Sequence, residues 1–183
     1  MTREEWAACE DGALMLELLG KVSGPPGSNG RRRLVLAACA CARRGLQYVP
    51  MYEDRPRLAI EAAERWAKES GGTLEQVRHA AKEAEAFAAS LPPLHADATV
   101  PSGGISGPET AVHGAVASAA ASAAYTAIES FPDLYAKTAA TELARAAASH
   151  AAVTVREAAH AAELRHCADI VRKHFPEPPR VAA

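Results

Sequence analysis

Aromatic side chains are scarce in this sequence, at 5% of residues, although apolar residues reach 49% and alanine supplies most of them. A core with so few rings has to come from close backbone approach, and alanine and leucine achieve that in packed helices. Charge of one sign is also lacking. A net charge of -2 and a pI near 6.4 give no overall pull toward nucleic acid or anionic lipid. No apolar run reads as long enough to cross a bilayer, and the N-terminus carries Glu4, Glu5 and Glu10 where a secretory leader needs a basic start and an apolar stretch. The expectation is a cytoplasmic protein with no membrane partner. A CxxC pair is missing too, so Cys9, Cys39, Cys41 and Cys167 read as reduced thiols. Cys39 and Cys41 lie about 200° apart on a helix and cannot share a bridge or a metal. Finally, no GxSxG, HExxH, phosphate-loop or dinucleotide fingerprint is present, which removes the strongest enzyme signatures.

What is present is organised around Arg31 to Arg44, RRRLVLAACACARR, apolar almost all round between its arginines. A helix without a polar face belongs in the middle of a protein. Ser28 or Asn29 can cap it and Gly45 can close it. Around it the caps repeat. Thr2 with Glu5 and Thr73 with Gln76 are capping boxes, Asp11 caps a helix stopped by Gly20, and Asp54 with Pro56 opens a helix ended by Gly71 and Gly72. Residues 92–108 read as the longest loop, an alanine-serine helix follows over about residues 109 to 129, and residues 176–183 read as an extended tail. Between 133 and 175 the chain is helical in composition, as one long helix or two, with Val153-Thr154-Val155 the weakest point and Thr154 with Glu157 a third capping box. The fold class expected is all-α, a single domain over residues 1–183, with six to eight helices in a bundle around a central buried helix.

The patterns EEW..C.D...ML.LL...S, R.RL.L.AC.CARR and DRPR.AIE.AERWA, with the ending ADIVRKHFPEPPRV, resemble a large paralogous family of small helical proteins in planctomycete bacteria. The likeness covers roughly the first 70 residues and the last 15. It implies a helical fold and a cytoplasmic class, and it carries no activity. The chain departs from the family pattern at Ala42, where a second Cys is usual, and at Gly45-Leu46-Gln47, where aromatics are usual. That departure argues against a metal site on paired cysteines there.

Three groups of residues could carry function. His160, Glu163 and Cys167 share one helical face and form the candidate metal set, for zinc or iron; a metal protein would use them with His150 and His166 and take partners from His79 or His113. Glu157-x-x-His160 and Glu163-x-x-His166 echo the units of di-iron bundles, but both lie on one stretch of chain, and His160 and His166 diverge by about 120°. Val112, Val116, Ala120 and Ala123 are the candidate interaction face, either open for a second copy or covered by the C-terminal helices. Arg31, Arg32 and Arg33 are the densest basic cluster, and pairing with Glu4, Glu5, Glu10 or Asp11 accounts for them better than nucleic acid does. The functional expectation is a non-enzymatic protein-interaction or scaffold module without a cofactor, with a protein partner or a second copy of the chain as its candidate partners. The alternative is a metal-binding helical protein or metal-dependent enzyme.

Overall fold

The computed structural model describes residues 1–91, 108–151 and 155–179. Eight α-helices lie among them: α1 (Arg3–Ala8), α2 (Gly12–Gly20), α3 (Asn29–Arg43), α4 (Arg55–Ala67), α5 (Leu74–Ser90), α6 (Pro108–Ile128), α7 (Pro132–His150) and α8 (Arg156–His174). A short 3-10 helix, Arg44–Tyr48, extends α3. The protein is an all-α multi-helix bundle. The expected loop 92–108 lies outside the described residues apart from Pro108, as do residues 152–154 of the expected break and 180–183 of the expected tail.

The caps act as the sequence dictates. The Thr2 hydroxyl accepts from the Glu5 amide while the Glu5 carboxylate accepts from the Thr2 amide, and Thr73 and Gln76 repeat the exchange on α5. The Asp11 carboxylate takes the amides of Ala13 and Leu14, and the Ser28 hydroxyl takes that of Arg31. Asp54, by contrast, makes no cap bond and spends its carboxylate on Arg57.

α3 sits at the centre, against α2, α4, α6, α7 and α8, with Leu34, Val35, Ala37, Ala38, Cys39, Cys41 and Ala42 all buried. It shares that place with α6, which packs on α3, α4, α5 and α7. The side chains of α6 are so small that neighbours approach from several directions, and residues 115 to 127 are buried except Ser118 and Tyr125, which are half-buried. By length and composition alone, Thr110–Ile128 is apolar enough to cross a membrane, contrary to the reading of the sequence; 72% of its apolar window is buried inside the bundle. One hydrophobic cluster takes residues from every helix, Trp6 of α1 through Val171 of α8. Trp6 also ties the chain ends together, its indole N–H donating to the Phe175 carbonyl at 3.0 Å.

The three arginines that open α3 diverge and reach the C-terminal ends of three other helices. Arg31, 3% exposed, donates to the carbonyls of Thr126 and Glu129 at the end of α6 and to Gly24. Arg32 donates to Trp66 near the end of α4, pairs with Glu69 at 3.2 Å and lies over the Trp66 ring. Arg33 donates to the His174 carbonyl at the end of α8, its guanidinium over the Phe175 ring. Cations at a helix N-terminus cost a few tenths of a kcal/mol each, but here they meet the negative ends of three other helix dipoles. The expected pairing with Glu4, Glu5, Glu10 or Asp11 does not occur; orphan carbonyls outcompete those exposed acids because they are held at a fixed position and need a donor.

α2 is wedged tightly at both ends. A Cβ on Gly12 would collide with the Cys167 side chain and come within 2.5 Å of the Ala168 nitrogen; one on Gly20 would meet the Asp133 backbone, also within 2.5 Å of its nitrogen. Alanine would recover at most about 1 kcal/mol of helix propensity, whereas overpacking against backbone costs about 1–3 kcal/mol. Gly12→Ala and Gly20→Ala should therefore each lower the urea midpoint. An unchanged midpoint in both would mean that α2 slides freely on α7 and α8.

Candidate functional site

Between α5, α6 and α7 lies an open cleft of about 690 Å³. Its floor is low because α6 presents Ser118, Ala121 and Ser122 there, and its walls are high because α5 contributes Arg78, Lys82 and Glu85 while α7 contributes Thr138, Glu142 and Arg145. Each set follows the i, i+3, i+4, i+7 spacing that puts side chains on one helical face. α5 runs antiparallel to α6, with Ala88 and Leu91 beside Gly114. Tyr125 and Tyr135 stand together on the α6 and α7 side, ring centroids 5.5 Å apart and planes tilted by 49°.

Several polar groups of the cleft are already engaged. The Tyr125 hydroxyl donates to Glu85 at 2.6 Å, and Arg145 holds Glu142 through two guanidinium nitrogens. Burial, then the Glu85 carboxylate, pushes the Tyr125 phenol up, so it remains a neutral donor. Arg78, Lys82 and the Glu129 carboxylate pair with nothing among the described residues, and the hydroxyls of Ser118 and Ser122 make no hydrogen bond there. The cleft thus offers two uncommitted cations on one wall, hydroxyls on the floor and an aromatic pair in its lining.

The residues singled out from the sequence lie elsewhere. Among the described residues no three His, Cys, Asp or Glu side chains gather as a metal-binding group. Glu163 is buried and grips Arg44 with both oxygens, the second at 3.2 Å, which also raises the Arg44 guanidinium. Cys167 is buried against Cys41, whose thiol donates to the Cys167 carbonyl at 4.0 Å. The neighbouring Cys167 thiol and then burial push Cys41 well up, and burial does the same to Cys39, so these thiols stay protonated and inert. His160 is half-buried, His166 is exposed, and His150 packs on the Tyr48 ring with centroids 4.8 Å apart. The expected set of His160, Glu163 and Cys167 is not brought together, because packing turns Glu163 and Cys167 inward to separate partners.

The candidate interaction face is covered by the chain itself. Val112 is 2% exposed, and Val116, Ala120 and Ala123 are fully buried. Val112 and Val116 pack with Ala146 of α7 and with Leu46, Tyr48 and Val49, while Ala120 and Ala123 join the main core. Of the two arrangements the sequence allows, internal coverage is the one realised.

The sequence reading missed the cleft. Its signal was polar residues at helical spacing on three separate segments, which acquires meaning only once α5 and α7 are known to flank α6. No protein-family model, curated protein or solved structure matches this chain.

Proposed function

We propose that this chain is a non-enzymatic binding module and that its working surface is the cleft between α5, α6 and α7. The observation that carries the reading is the pair of uncommitted cations, Arg78 and Lys82, beside free hydroxyls in a concavity of about 690 Å³. Ligand sites are concave and occupy roughly 300–1,000 Å³. Cations that satisfy nothing in their own fold are available to something else. The lining holds serines but no histidine, so a serine nucleophile there lacks its usual base. A scaffold role through the Val112 to Ala123 face has no open surface to use, which moves the expected partner to the cleft.

The test is a charge reversal, Arg78→Glu with Lys82→Glu. Both residues are exposed on α5, so the variant should fold with an unchanged circular dichroism spectrum and melting temperature. Native mass spectrometry of untagged protein from its own cells should find a bound molecule or partner on the wild type and not on the variant. The same bound species on both, or none on either, would overturn the reading.

A further inference from the structure

This inference rests on the cleft being the binding surface and names its ligand. We propose that the cleft takes a phosphorylated small molecule carrying a planar ring, with a mononucleotide as the class. The α5 wall supplies the anion site. Arg78 and Lys82 are one turn apart, which sets their Cβ atoms about 6 Å from each other, and neither meets a carboxylate among the described residues. A phosphate dianion answers two neighbouring cations in charge, and the arginine fork can hold two of its oxygens while lysine adds a point charge.

The floor adds donors suited to the same group. The hydroxyls of Ser118 and Ser122 are uncommitted among the described residues, and the small side chains let a ligand sink between the walls. Tyr125 of α6 and Tyr135 of α7 line the same cleft and supply rings, their centroids 5.5 Å apart. Aromatic rings in a cleft are the kind of surface on which a planar base stacks. Tyr125 is fixed by its bond to Glu85, so its ring is held in place before a ligand arrives. Glu129 lies one turn beyond Tyr125 and keeps its carboxylate free to accept from a ribose hydroxyl or an exocyclic amine. Cation pair, hydroxyl floor, ring platform and terminal acceptor are the recognition elements of a nucleoside phosphate, brought together in the lining of one cleft.

Isothermal titration calorimetry with AMP, adenosine and inorganic phosphate tests this on the full chain. AMP should bind at one site per chain, with adenosine and phosphate each at least about tenfold weaker, because each meets only part of the site. Arg78→Glu with Lys82→Glu should abolish AMP binding, and Tyr135→Ala should weaken it by about tenfold through loss of stacking. Tyr135 is half-buried at the cleft edge, and should that variant melt early, Tyr135→Leu, which keeps bulk but not the ring, takes its place. Absence of AMP binding in the millimolar range, or equal binding by wild type and charge-reversed protein, overturns the assignment. If AMP fails while the wild type from native cells still carries a species that the charge-reversed variant lacks, only the ligand class is wrong. If both fail, the cleft reading falls with it.

Discussion

Ala120→Glu should leave no folded protein at all, rather than converting a dimer into a folded monomer. Ala120 is fully buried in α6, inside the same cluster as Ala119 and Ala123 and the central helix α3. Two costs combine. The added side chain has no void to enter in a core whose helices approach this closely, and overpacking alone costs about 1–3 kcal/mol. The carboxylate then either stays charged without a partner or takes up a proton and still buries an unsatisfied hydroxyl, at a further cost of several kcal/mol. The sum reaches about 5 kcal/mol or more, which is the whole stability of many domains. Circular dichroism should show the loss of helix, and light scattering should find aggregate rather than a smaller particle. A folded monomer from a dimeric wild type would mean that α6 is exchanged between copies, and a variant as stable as the wild type would mean that this face is open.

How far the sequence led depends on whether a property is local. The caps Thr2, Asp11, Ser28 and Thr73 were legible because each requires only neighbours two or three residues away. The all-round apolar run Leu34 to Ala42 was legible as core for the same reason. Whether Val112, Val116, Ala120 and Ala123 faced water or a neighbour was not, since a small-residue face is equally suited to a second copy and to α7. Glu163 and Cys167 shared a face with His160 on paper. In the bundle they turn inward to Arg44 and Cys41, on elements more than a hundred residues away in sequence. The cleft was the hardest to see. Arg78 and Lys82 look like any solvated helix flank, and their meaning comes from the low floor of α6 and the rings of Tyr125 and Tyr135 beside it.

Replacing Arg31 with methionine should cost about 4 kcal/mol, several times the cost of the same change at Arg32 or Arg33, although the three residues are adjacent and identical in type. Arg31 is buried and all three nitrogens of its guanidinium donate, Nη1 to Thr126 O at 3.1 Å and Glu129 O at 2.9 Å, and Nε and Nη2 to Gly24 O at 3.1 and 2.8 Å. Desolvation lowers its affinity for the proton, with Asp133 partly opposing, yet arginine keeps its charge, so the bonds are charge-assisted. Methionine would fill most of the volume and leave the carbonyls at the end of α6 facing a thioether that donates nothing. The carbonyl of Thr126 sits in a buried part of the fold where water cannot replace the guanidinium. Arg32 is half-buried, but its ion-pair partner Glu69 is 72% exposed, so its loss should cost about 1 kcal/mol; Arg33, exposed and bonded to one carbonyl, should cost no more. Urea midpoints for the three variants should separate Arg31→Met from the other two, and amide exchange should quicken first in the last turn of α6. Arg31→Lys should fall between, since one ammonium cannot reach acceptors at two different edges of the guanidinium. Three equal, small effects would show that these carbonyls are reached by water, and that the arginines are a solvated cluster after all.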